Sequence, residues 1–144
     1  MPQLEFDHQF NYRPLLVESG GRKELTIALP VLEVTFWHRD LTASDFAIVD
    51  SGSTFSLFSR EIADELGIDV LQGRPQKLTT LGGPMLAYGH EVTLAIIPSV
   101  QYKTEILFSE YPLPRNLLGH HGFFNQMAVA LRSKLGLIYL NPET

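Results

Sequence analysis

The stretch Phe46-Ala47-Ile48-Val49-Asp50-Ser51-Gly52-Ser53-Thr54 runs four apolar residues into an aspartate and then straight into a turn-forming run. A carboxylate carried to the end of a buried strand needs partners, because an ionised group held away from water either raises its pKa or destabilises the fold. The next residues offer them. Gly52 allows close backbone approach, and Ser51, Ser53 and Thr54 bring hydroxyl and amide donors that can hold Asp50 in one orientation. Two readings fit these nine residues: an Asx-turn closing the loop after a core strand, or an acid oriented for proton transfer. The adjacent pair His120-His121 raises the question of metal ligation, but neighbouring residues point apart in strand or helix and spacing supplies no third ligand. No metal site is expected. The absence of cysteine excludes disulfides, thiolate zinc sites and cysteine nucleophiles. No Gly-x-Ser-x-Gly elbow or phosphate loop occurs, and no cofactor is expected.

The elements that must position Asp50 are those of an all-β domain. Most apolar segments are short, β-branched or aromatic, and bounded by Gly, Pro, Asn or Ser. Strands are expected over Leu25 to Leu29, Val31 to Trp37, Phe46 to Val49 and Ile106 to Phe108. Leu78 to Tyr88 and Glu91 to Ile97 read as the arms of a hairpin or its continuation, with Gly82-Gly83 as turn and Gly89 as a second flexible point. Val129 to Leu131 and Leu137 to Leu140 form a further hairpin turning near Ser133-Lys134. One helix is expected over Ser59 to Gly67: Ser59 caps it, Glu61 sits at its positive end, Ile62 and Leu66 share a face, and Gly67 ends it. A second short helix is expected around Gly122 to Met127.

A chain of 144 residues with 44% hydrophobic content matches one globular domain. A net charge of -5 and no basic run longer than Arg22-Lys23 argue against nucleic acid and anionic membranes as partners. No apolar run approaches the roughly 20 residues that cross a bilayer. The opening residues lack a basic start followed by an apolar core, so a cytoplasmic location is expected.

Three segments in order resemble the retropepsin-like aspartic protease family: Ile48-Val49-Asp50-Ser51-Gly52-Ser53, the Gly82-Gly83 hairpin, and Leu117-Leu118-Gly119. The first matches the family's apolar-apolar-Asp-Thr/Ser-Gly-Ala/Ser signature. The last resembles the apolar-apolar-Gly element that crosses behind the catalytic loop. The likeness covers roughly Leu29 to Leu140, and residues 1-25 are read as an N-terminal extension preceding a single domain over 26-144. It implies a closed β-barrel of the acid-protease type, with one or two short helices and a flap hairpin.

The resemblance further implies an aspartic endopeptidase that hydrolyses peptide bonds in extended, apolar-flanked segments of a peptide or protein substrate. Two carboxylates sharing a proton activate a water in that chemistry. The chain carries one Asp-Ser-Gly-Ser, so the site implies a homodimer with Asp50 from each copy. Ser51, Gly52 and Ser53 would support the catalytic loop, Ser51 across the interface and Ser53 through its hydroxyl on the Asp50 carboxylate. Leu81, Gly82, Gly83 and Met85 would serve the flap and, with Leu57 and Leu117, the substrate pockets. Leu137 to Leu140 would either build a dimer sheet or serve as a strand within the chain. The Arg and acid that often brace this loop in the family are missing, replaced by His120 and Thr54. The loop must be braced differently, or the chain is a non-catalytic peptide-binding or dimerisation module that keeps the fold.

Overall fold

The computed structural model of the chain describes residues 4-19, 23-80, 82-97 and 99-143. Leu81, expected at the hairpin tip, lies outside them. The chain folds as β1 (His8–Asn11), β2 (Arg13–Ser19), β3 (Lys23–Leu29), β4 (Val31–His38), β5 (Leu41–Val49), β6 (Leu57–Phe58), α1 (Arg60–Glu65), β7 (Arg74–Thr80), β8 (Gly83–Ile97), β9 (Val100–Ser109), β10 (Asn116–Leu118), β11 (Met127–Arg132) and β12 (Leu137–Pro142). Strands dominate, as the short β-branched segments require.

Seven strands form one sheet in the order β4-β5-β10-β6-β9-β8-β7, and an additional β4–β8 pairing closes six of them into a barrel. β8 makes the closure possible because it is long. Its first half pairs with β7, from Thr80↔Gly83 to Arg74↔Gly89, and its second half reaches β4 at Thr35↔Ala95. Gly89 is therefore not a break between two arms. The strand runs straight through it, paired on its other edge with β9 at Leu107.

The barrel is filled by aromatic side chains. Phe36, Phe58 and Phe108 are fully buried, and Phe36 meets Phe58 edge to face at 4.7 Å. Burial of each contributes about 1.5–3 kcal/mol, and the edge-to-face contact about 0.5–1.5 kcal/mol more. The helix α1 closes the barrel with Ile62 and Ala63, followed by Leu66, all buried in the same core. Gly67 ends it at φ +68, donating its N–H to Asp64 O at 3.1 Å. Ser59 stands at the N-cap position without capping. Its hydroxyl instead accepts the Leu113 N–H at 3.0 Å, a contact 54 residues away in the chain.

The expected second helix is absent. Residues 122-126 form successive turns, closed by Phe124 N–H on Gly119 O and Met127 N–H on Phe123 O. Gly122 has φ +101, which interrupts helical geometry at the start of the segment.

A second sheet has the order β1-β12-β11. β12 is its central strand, pairing Leu140 with His8 on one edge and with Val129 on the other. Ile138 and Leu140 are buried in the barrel's own core. Of the two roles open to Leu137–Leu140, the strand within the chain is the one found, because both its edges are filled. Among the described residues the β2–β3 ribbon pairs only with itself, and it exposes Leu16 and Ile27.

Candidate active site

β5 delivers Asp50, although Phe46 to Val49 are not all buried as four apolar residues in a row suggest: the strand has one inner face, and Phe46 is exposed on the other. Ala43, Ala47 and Val49 are buried on its inner face, and the strand ends with Asp50 half-buried. The exit is fixed from both sides: Val49 N–H donates to Pro30 O at 2.8 Å and Asp50 N–H to Leu118 O at 2.9 Å. The chain then turns, with Ser53 N–H on Asp50 O at 3.1 Å. Gly52 N–H donates to Asp50 Oδ1 at 2.9 Å, so the Asx-type contact exists and is what orients the acid. A Cβ at Gly52 would lie 3.2 Å from that same oxygen. No described residue hydrogen-bonds Oδ2. The Ser53 hydroxyl takes a different partner from the one expected. It donates to Phe55 O at 2.6 Å, because the turn aims it along the loop rather than back at the carboxylate.

β10 crosses behind this loop. It pairs in parallel with β5 at Leu117↔Ile48 and Leu118↔Val49, and antiparallel with β6 at Leu117↔Leu57. The chain that follows lies against residues 53-56. Gly119 N–H donates to the buried Ser56 hydroxyl at 3.0 Å, His120 N–H to Ser53 O at 2.9 Å, and His121 N–H to Thr54 O at 2.8 Å. Only glycine fits at 119, since a Cβ there would stand 2.5 Å from Ser53 O. The His120 ring bonds through Nε2 to Ser51 O at 2.6 Å and lies 5.1 Å from the Phe124 ring. A carbonyl only accepts, so Nε2 carries the proton. Tyr102 ties the same region to β9 through its hydroxyl on Gly122 O at 2.9 Å, and burial pushes its phenol well above the ordinary value.

Between this loop and β7 lies a cleft of about 670 Å³. Of the residues singled out in the sequence, Asp50, Gly52, Ser53, Thr54, Leu57 and Leu117 line it. Phe55 and residues 77-80 complete its walls, and Asp50 and Lys77 are the charged side chains among its lining residues. Ser51 is exposed at the loop's outer side. Met85 packs with Leu78 and Phe55 against the buried trio Leu57, Ala87 and Leu107, beneath the hairpin. Gly82 and Gly83 sit at the hairpin tip, where Gly83 has φ +109 and its carbonyl accepts the Thr80 hydroxyl at 2.7 Å. That Phe55 and Lys77 line the same cleft as Asp50 was not evident from sequence, since nothing local marks such a residue.

At the hairpin's base, Arg74 holds Glu105 through Nη2–Oε1 at 2.7 Å and Nε–Oε2 at 3.2 Å. The bond to Arg74 lowers the Glu105 carboxyl from its ordinary range, and burial opposes this. The same bond raises the Arg74 guanidinium. The carboxylate lies over Gly89, where a Cβ would come within 2.5 Å of its carbon. Among the described residues no three His, Asp or Glu side chains converge as a metal site. No helix there is long and apolar enough to cross a membrane.

The family model described as aspartyl protease matches residues 45-121, just over half of the chain, from the middle of β5 through the crossing element to His121. Among solved structures, a retropepsin-like aspartic protease from Rickettsia conorii matches with TM-score 0.57 at 16% identity, covering 76% of this chain and 88% of that one. The EIAV protease, in complex with the inhibitor HBY-793, matches with TM-score 0.48 at 20% identity over 72% of this chain and 88% of that one. No curated protein matches the sequence. With the Asp-Ser-Gly-Ser turn, the crossing Leu-Leu-Gly and the closed barrel in their places, the chain belongs to the aspartyl protease family and has the retropepsin-like fold.

Proposed function

We propose that the chain is an aspartic endopeptidase acting as a homodimer on extended, apolar-flanked peptide segments. One observation carries this reading: Asp50, oriented by Gly52, is the single carboxylate lining the cleft, opposite an edge strand. Hydrolysis by this chemistry needs two acids, and one chain brings one. Two copies meeting at a two-fold axis would supply the pair, with Ser51 on the outer side of each loop facing the partner.

The paired acids share one proton, because adjacent like charges do not both ionise. The ionised carboxylate takes a proton from a water as its oxygen bonds to the scissile carbonyl carbon. The other carboxyl gives its proton to the carbonyl oxygen, forming a gem-diol. A proton then passes from a gem-diol hydroxyl to the pair while the pair protonates the nitrogen, the C–N bond breaks, and acid and amine leave. The pair again holds one proton. β7 ends its sheet, so its outer edge can add a substrate strand, while Gly82 and Gly83 let the hairpin act as a flap. Leu57 and Leu117 supply apolar pocket walls.

Asp50→Asn should reduce cleavage of an apolar peptide by at least about 100-fold while leaving the dimer in place. Peptide hydrolysis followed by mass spectrometry, beside analytical ultracentrifugation, reads both. Undiminished cleavage overturns the aspartic mechanism. A wild-type chain that cleaves nothing yet binds peptide, with affinity surviving Asp50→Asn, identifies a non-catalytic binding module instead.

A further inference from the structure

Asp50 is aimed by a loop whose position depends on contacts from elsewhere in the chain. Its own turn supplies Gly52 N–H and Ser53 N–H, both local. The carbonyl immediately after Asp50, that of Ser51, is held by something 69 residues away: the Nε2–H of His120, at 2.6 Å. The backbone on either side of that imidazole is itself fixed. His120 N–H bonds Ser53 O and Asn125 N–H bonds His120 O at 3.0 Å. The ring rests on Phe124 with an interplanar angle of 34°. Backbone, ring face and ring nitrogen thus meet four different neighbours, which fixes where the ring points. No salt bridge involves residues 50-54 among the described residues.

We propose that His120 is a positioning residue for the reaction: its Nε2–H holds the Ser51 carbonyl and so sets the loop from which Asp50 projects. The bond needs a proton on Nε2, which both the neutral ε tautomer and the imidazolium provide. Phe124 supplies the surface that keeps the ring from rotating away. The kinetic part of this inference rests on the endopeptidase reading, whereas the bond's effect on the loop does not.

Three variants separate the ring from its donor. His120→Ala removes both, His120→Phe keeps the contact with Phe124 but has no N–H, and His120→Gln restores an amide donor without the ring. With a cleaved apolar peptide, His120→Ala and His120→Phe should lower kcat by about 10–100-fold at nearly unchanged KM, and His120→Gln should recover most of it. Amide hydrogen exchange at Gly52 and Ser53, on folded protein of each variant, should show faster exchange in the first two and wild-type protection in the third. A His120→Phe variant with wild-type kcat and wild-type exchange overturns the proposal and leaves His120 a packing residue. If the wild type cleaves nothing, the endopeptidase reading fails by itself and exchange alone decides: protection lost with the donor upholds the brace, and unchanged protection overturns it.

Discussion

Asp50 shows how a local turn can orient the acid proposed to do the chemistry. The Gly52 N–H on Oδ1 is an ordinary Asx contact, yet it fixes a carboxylate at the wall of a cleft, so the turn chemistry does the orienting. A second acid, Glu105, has a structural task. It reaches over Gly89 to grip Arg74 with both oxygens, fastening β7 to β9 across the intervening β8. Because its folded pKa is depressed, this contact stabilises the protein above the unfolded carboxylate range. The stabilisation disappears as pH falls through the lower folded value. Thermal unfolding followed from pH 7 downward should show Glu105→Gln melting below the wild type near neutrality. The gap should begin to narrow as pH falls below the ordinary carboxylate range, about pH 4.3, and close only once it has fallen past the depressed folded value. A constant gap across that range would show that Glu105 acts by packing and not by charge.

At the scale of elements, the tightest constraint is the crossing of β10 behind the Asp50 loop. Gly119 sits against the Ser53 backbone carbonyl, which cannot step aside as a side chain does. Gly119→Ala should therefore cost about 1–3 kcal/mol or more in denaturant unfolding. Gly89→Ala meets only the side-chain carboxylate of Glu105, which can swing aside by giving up part of its grip on Arg74, and should cost less. Equal losses would mean that the crossing is looser than its geometry. The barrel core offers a reference: Phe58→Ala empties a fully buried site between β6 and its neighbours, with an expected loss of about 3–5 kcal/mol. α1 shows a different economy, since Ser59 gives up its capping bond to hold the Leu113 backbone, while Asn116 takes the Ser59 N–H at 2.9 Å.

For the whole molecule, the proposed reaction requires two copies, and this has a kinetic signature. Specific activity should rise with protein concentration and then level off as the dimer fills. A flat profile down to nanomolar protein would point either to a very tight dimer or to a site that needs no partner, and sedimentation at the same concentrations distinguishes them. A concentration-independent monomer that cleaves would overturn the shared site. β12 lies between β1 and β11, so a partner cannot add beside it without displacing one of them. Asp50 of each copy would have to meet through the catalytic loops and other surfaces.

Much of the site was legible in sequence because its parts are local. Four apolar residues followed by Asp-Ser-Gly-Ser already specify a strand ending in a turn, though not that Phe46 would be exposed, and the Ser59–Gly67 pattern specifies a helix ending at a left-handed glycine. These follow from period, side-chain shape and turn chemistry within a few residues. The partners of those parts were not legible. That His120 holds Ser51 and that Lys77 lines the same cleft as Asp50 depend on where folding brings segments far apart in the chain, whereas the Ser53 bond to Phe55, two residues on, is set by the detailed geometry of the turn. The same holds for β8, one strand where Gly89 suggested two, because β7, β9 and β4 pair with it along its length. Short-range preferences are written residue by residue, whereas a hydrogen bond across 69 positions is chosen by packing, so the sequence by itself determined the acid and its turn, and tertiary structure decided what holds them.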